Sequence, residues 1–310
     1  MTYNQWLAEW LENYVKPVSK QKTYVRYTEI VRQHILKQIG GYEIETLTPL
    51  VIQQYIMRLL KSGNLKTGGA LAPNSVNSVV TVLQNSLKSA YAVGQIKENI
   101  AGKIVRPRTV EKKVTSFTVA EQKKIEKEVF TANKPRLFGI VLTLYTGMRI
   151  GEVLALEWSD VDFKKGLISI TKSCHDGLKP DGGLKRITDT PKTPNSVRTI
   201  PLPRQLVPHL RELKKKSSSK YVVASTVGNC VAVRAYQRSF EICLKKLNIP
   251  HQGFHALRHT FATRAIECGM DVKTLSEILG HKNATVTLNK YVHSFMDHKK
   301  EMMNRVGRLL

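Results

Sequence analysis

The sequence predicts a mainly α-helical protein with a small antiparallel sheet: an N-terminal four-helix bundle followed by an α+β domain. Three observations predict it. Apolar residues recur at helical spacing through the first third of the chain. A basic, aperiodic stretch then interrupts the pattern. Beyond it, helical segments mix with three short strand-like runs, GLISIT, VRTIPL and YVVAS.

The first helix is read from YNQWLAEWLENYV, where Trp6, Leu7, Trp10, Leu11 and Tyr14 share one face. The second is KTYVRYTEIVRQHILKQIG, stopped by the Gly40–Gly41 pair. Thr48 and Pro49 supply a cap and a first-turn proline for PLVIQQYIMRLLKSG. After the loop NLKTGGALAP, NSVNSVVTVLQNSLKSAYAVG makes the fourth. Short connections favour a bundle. Residues 104–117 carry Pro107 with Arg106, Arg108, Lys112 and Lys113 and little periodicity, so the boundary is placed there. The expected divisions are a helical domain over 1–103, a linker over 104–117, a second domain over 118–293 and a tail helix over 294–310.

In the second domain FTVAEQKKIEKEVF, PRLFGIVLTLYTG and GEVLALEW read as helices. The three strands follow at 166–171, 197–202 and 221–225, the first two separated by a long turn-rich excursion. VAVRAYQRSFEICLKKLN is a further helix, and three more start near 257, 271 and 284.

Charge narrows the function. The chain has 310 residues and carries 49 Lys and Arg against 24 Asp and Glu, a net +25. Residues 1–110 hold 14 basic and 6 acidic side chains and the remainder 35 and 18, so both parts are basic. That balance points to a polyanion, nucleic acid first. A hydrophobic content of 42% supports packed cores rather than disorder. No apolar run is long enough to span a membrane, and MTYNQWLAEW lacks the form of a signal peptide, so a cytoplasmic protein is expected. Cys174, Cys230, Cys243 and Cys268 are too scattered for a zinc site or a disulfide framework.

Several residues carry potential chemistry. In TGMRIGEVLALEW, Arg149 emerges at a break between helices, with Glu152 three positions on, a spacing that fixes the arginine. In TPKTPNSVRTIPL, Lys192 lies in a turn before a strand, flanked by Pro191 and Pro194. In HALRHTFATRAIECGM, His255 and Arg258 are three apart and share a face, whereas His259 points elsewhere. His281 follows Gly280 at a helix end, and Tyr291 lies ten residues later. A zinc reading of His255, His259 and His281 fails because the general-base Glu of that motif is replaced by Ala256. His259 is assigned to core packing.

The alternative is phosphoryl transfer without a metal or cofactor. Two guanidinium forks can clamp the nonbridging oxygens of one phosphodiester and stabilise the charge that grows there. A tyrosine beside that charge becomes a nucleophile, and a Lys or His can protonate the departing oxygen.

TGMRIGEVLALEW, the lysine of PKT, HALRH, LGH and the last tyrosine occur in the order seen in tyrosine recombinases of the phage-integrase family, which this chain resembles over 118–293. The helical bundle before it is similar to the family's core-binding domain, and the two domains together to its C-shaped DNA clamp. The resemblance implies that Arg149 and Arg258 bind the phosphate, Lys192 acts as general acid, His255 and His281 assist, and Tyr291 is the nucleophile. It implies site-specific recombination through a 3′-phosphotyrosine and a Holliday junction, by a homo-tetramer on double-stranded DNA with inverted-repeat core sites. A directionality factor is a further implied partner. The excursion over 172–190 is similar to insertions of conjugative-transposon integrases, which favours the integrase of a mobile element. A chromosome-dimer-resolving recombinase and a non-catalytic DNA-binding protein are the alternatives.

Overall fold

A computed structural model describes residues 1–109, 115–132, 134–178, 184–189, 197–281, 300, 303–304 and 306–308. The chain divides into two compact units, Met1–Lys112 and Lys113–Leu310, each with its own apolar core.

The first unit contains the four expected helices. α1 (Tyr3–Trp10) is opened by a capping box between Thr2 and Gln5 and runs on as a π-helix over Leu11–Val15. α2 (Gln21–Ile30) continues through a π-helix at Val31–Ile35 into α3 (Leu36–Ile39), which stops at Gly40. α4 (Pro49–Ser62) is capped by the Thr48 hydroxyl, which accepts the Val51 amide. α5 (Pro73–Ala92) is the central element. It buries Val76, Val79, Val80, Leu83 and Leu87, and it satisfies the polar tips of the α1 aromatics. The Tyr3 hydroxyl lies 2.7 Å from Ser86 Oγ, Trp6 Nε1 donates to Ser86 O at 3.1 Å, and Trp10 Nε1 donates to Ser89 Oγ at 3.1 Å. These bonds let large aromatics enter the core without stranding a donor.

The start of the expected linker is not free chain. Asn77, Thr81 and Gln84 recur along one face of α5. Asn77 donates to the Pro107 carbonyl at 3.0 Å, while Arg106 donates to Thr81 Oγ1 at 3.2 Å and Gln84 Oε1 at 2.6 Å. A polar helix face thus holds the basic segment that sequence periodicity could not place.

In the second unit, α6 (Val119–Thr131) begins with a capping box between Thr118 and Glu121. α7 (Phe138–Thr146) is buried almost all round, as its run of apolar residues requires. α8 (Ile150–Ala155) follows after a short break. A three-stranded antiparallel sheet has the order β1 (Val161–Asp162), β2 (Leu167–Ile170), β5 (Arg198–Pro201), with Ile170 opposite Arg198.

The excursion between β2 and β5 is more ordered than its composition suggests. β3 (Ser173–Leu178) and β4 (Leu184–Asp189) form an antiparallel hairpin from Ser173↔Asp189 to Leu178↔Leu184. Tertiary contacts override its weak strand propensity. Cys174 is buried with its Sγ 2.7 Å from that of Cys230, and Arg186 donates to the Cys230 carbonyl at 2.5 Å. Cys230 is the donor of the thiol pair, which raises its pKa and lowers that of Cys174.

Residues 221–225, expected as a strand, form only isolated bridges, Glu157↔Tyr221 and Ala224↔Cys230. The turn closed by Gly228 N to Ser225 O reverses the chain before a ladder can develop. α9 (Val207–Lys216) is an addition to the sequence reading. Leu210 on its inner side and Leu206 just before its start are buried, and Leu213 packs against the same core. α10 (Val233–Lys246), α11 (His255–Glu267) and α12 (Val272–Leu279) complete the unit. The helix expected near 284 and most of the tail lie outside the described residues. Among the described residues, no helix is long and apolar enough to cross a membrane.

Candidate active site

The site forms where helix ends converge. α7 ends on Gly147 with a left-handed φ of 64°. A Cβ there would lie 2.5 Å from the Phe261 ring and 2.7 Å from Leu279, so both backbone angle and space demand glycine. Two residues on, Arg149 is extended at the N-terminus of α8. α12 ends in the same manner on Gly280, at φ 62°.

Glu152 in α8 is the acidic centre. It accepts the Arg149 backbone amide and Arg149 Nη1, both at 2.8 Å. It also accepts a bidentate fork from Arg198, Nη1 to Oε1 at 3.0 Å and Nη2 to Oε2 at 2.9 Å. These donors fill the carboxylate's acceptor capacity, which permits burial to 3% exposure. Burial pushes the Glu152 pKa up. The hydrogen bonds and charge of Arg198, then Arg149, outweigh that and hold it below its ordinary value.

The last carbonyls of a helix lack intrahelical partners. At the end of α12 each of the three is met by an arginine. Arg198 Nε donates to Ile278 O at 2.6 Å, Arg258 Nη2 to Leu279 O at 2.7 Å and Arg149 Nη2 to Gly280 O at 2.8 Å. Cations are favoured at this negative pole of the helix dipole. Arg258 Nη1 also donates to Gly147 O at 2.7 Å, joining the ends of α7 and α12.

Of the residues singled out by sequence, Arg149, Arg258 and His281 are brought together around the end of α12, and His255 stands at the start of α11, one turn before Arg258. The Arg149 side chain is 36% exposed. Arg258 is only 1% exposed. Its guanidinium closes two helix ends, and that role draws it inward. His281 is half-buried, its amide bonded to Ser276 O at 3.0 Å. His255 is exposed. Its ring meets His259 edge-on with centroids 4.5 Å apart. His259 is therefore a half-buried neighbour of His255 rather than the core residue expected. The core side of α11 is supplied by Ala256, Leu257 and Thr260. Lys192 and Tyr291 lie outside the described residues. Among the described residues no cluster of three His, Cys, Asp or Glu could hold a metal ion.

Sequence reasoning missed Arg198. It lies in VRTIPL, read only as a strand, and nothing in its spacing reveals that it reaches Glu152 and Ile278.

Residues 115–298 match the family described as "Phage integrase family", and residues 2–60 match "Phage integrase, N-terminal SAM-like domain". The chain belongs to the phage integrase family. Its relatives include a "Tyrosine recombinase XerC-like" protein of Caldanaerobacter subterraneus subsp. tengcongensis, 29% identical, the match covering 100% of this chain and 83% of the relative. The "ICEBs1 integrase" of Bacillus subtilis is 25% identical over 94% of this chain and 79% of its own. Among solved structures, the Tn1549 transposon integrase in complex with a circular intermediate DNA superposes with a TM-score of 0.80 at 24% identity, covering 99% of each chain. That likeness concerns the fold. As a phage integrase family member, the protein is a tyrosine recombinase, an enzyme that cleaves and rejoins DNA strands.

Proposed function

We propose that this recombinase integrates and excises a mobile DNA element, with Arg149, Lys192, His255, Arg258, His281 and Tyr291 as its catalytic residues. The observation that carries the assignment is the convergence of Arg149 and Arg258 on adjacent carbonyls of α12, with His281 next in the chain. Two guanidinium groups held at one point form a clamp for one phosphate. Tyr291 Oη attacks the phosphorus, forming the tyrosyl ester as the bond to the 5′ oxygen breaks. The arginines stabilise the charge that develops on the nonbridging oxygens. Lys192 delivers a proton to the departing 5′ oxygen, and His255 and His281 support proton transfer and phosphate contact. The product is a 3′-phosphotyrosine and a 5′ hydroxyl. The 5′ hydroxyl of a partner duplex then attacks that ester, displacing Tyr291 and giving a Holliday junction. No metal or cofactor enters this sequence of steps.

The partner is double-stranded DNA with inverted-repeat core sites, bound by a homo-tetramer in the bacterial cytoplasm. Solved relatives support it: one lambda integrase structure is a tetramer bound to a Holliday junction. Residues 1–103 act as the core-binding domain, 104–117 as the linker and 118–293 as the catalytic domain. Residues 294–310 supply the subunit contact, for which exposed Met303 and Val306 offer apolar surface. A directionality factor sets the balance between integration and excision. The β3–β4 hairpin touches DNA or a neighbouring subunit. The XerC-like relative favours a second reading, chromosome-dimer resolution. Recovery of a circular element junction rather than a chromosomal site as substrate decides between them.

The deciding experiment uses nicked suicide half-sites drawn from a randomised pool by covalent capture. Wild type yields a protein–DNA adduct stable in a denaturing gel, and Tyr291→Phe yields none. An adduct from Tyr291→Phe, or none from wild type, overturns the assignment.

A further inference from the structure

We propose that Arg198 is a positioning residue for strand cleavage. It would set Arg149 and the start of the His281 segment at once, without touching DNA. The proposal rests on the reading that Arg149 and His281 act at the scissile phosphate.

Arg198 stands on β5 opposite Ile170, and its side chain is 7% exposed. Its three donor nitrogens are each directed at a protein acceptor. Nη1 and Nη2 take the two oxygens of Glu152 in α8, and Nε takes the Ile278 carbonyl in α12. One planar group therefore fixes the mutual placement of the sheet, α8 and α12. From α8 the connection reaches Arg149, whose backbone amide and Nη1 are held by the same carboxylate. From α12 it reaches Gly280, where a Cβ would lie 3.0 Å from Arg198 Nη1 and 3.1 Å from its Cδ. The missing side chain at Gly280 is what admits the guanidinium, and His281 follows at once.

The chemistry requires arginine. The guanidinium presents donors along two edges in a rigid plane. The ammonium of a lysine is a single centre and cannot serve a bidentate carboxylate and a separate carbonyl together. Lysine at 198 preserves the charge opposite Glu152 but loosens the frame on which Arg149 hangs. A displacement of about 1 Å at a reacting group costs on the order of 100-fold in rate.

The test compares Arg198→Lys, Arg149→Ala and the double variant in the full chain. Single-turnover adduct formation on the captured suicide half-site is set beside duplex affinity by fluorescence anisotropy. Arg198→Lys is expected to slow adduct formation by about 100-fold while the Kd stays within about threefold. The double variant should lose less than the product of the two single losses, because part of the effect of Arg198 runs through Arg149. Arg198→Lys cleaving at the wild-type rate overturns the proposal. So does a loss that multiplies with that of Arg149→Ala, a loss seen only in Kd, or failure of Arg198→Lys to fold. Wild-type cleavage by Arg149→Ala is a different result: it overturns the phosphate-clamp reading itself.

Discussion

Glu152 is a buried anion among arginines, and its protonation should report on the whole site. Its folded-state pKa lies below the ordinary value of 4.5. Above pH 4.5 both folded and unfolded chains are ionised there, and the full stabilisation is present. As pH falls below that, the unfolded chain takes the proton first, so stability is lost through the folded-state pKa. Urea unfolding at a series of acidic pH values should show this loss in wild type and a shallower one in Glu152→Gln. At neutral pH the same variant should be less stable by about 3 kcal/mol, because it leaves buried guanidinium charge uncompensated. Equal stability of the two proteins at pH 7 would contradict the network. At this scale the sequence was informative where partners are close in the chain. Arg149 and Glu152 are three apart, and His281 adjoins a terminal glycine. Arg198 was invisible because its partners lie 46 and 80 positions away. The burial of Arg258 was invisible for the same reason, since its acceptors are the distant ends of α7 and α12.

Helices were legible wherever periodicity coincided with a cap. Thr48 and Thr118 each accept a backbone amide three residues on. Thr118→Ala should lower stability by about 1 kcal/mol, as read by chemical denaturation. Gly147→Ala is the sharper case. Left-handed backbone and contact with Phe261 and Leu279 combine, and a loss of about 2–4 kcal/mol is expected, with a matching fall in Tm. A variant as stable as wild type would show that the α7 terminus can shift. The hairpin of β3 and β4 was harder to see. SCHDGL and LKRITD are polar and poor in β-branched residues, and what fixes them is Cys174 beneath the sheet and the Arg186 contact to Cys230. The strand expected over 221–225 failed for the opposite reason. Its apolar composition buries Val222 and Val223 against the core, but the following turn leaves no partner strand alongside.

For the whole molecule the dominant quantity is the net charge of +25, spread over both parts of the chain. Binding to duplex DNA should release many counterions. Affinity should fall by about a thousandfold or more between 50 and 200 mM salt if 6–10 phosphates are contacted. Anisotropy titrations across that range test it, and a flat response would exclude a backbone-dominated interface. The basic stretch is marked in the sequence by its break in the helical pattern, whereas the attachment of Arg106 to α5 was not legible. The register of β2 with β5 carries one more consequence. Ile170 at the end of β2 pairs directly with Arg198 at the start of β5, and the β3–β4 hairpin falls between them in the chain. In topological terms that pairing closes a loop, and doubling the length of a closed loop costs only about 0.6 kcal/mol of closure entropy. The hairpin part of the excursion can therefore be lengthened or shortened at little entropic cost while the arginine-held frame stays as it is. That makes its β3–β4 part, apart from the stretch that carries Lys192, a place where new contacts can be added without rebuilding the chemistry.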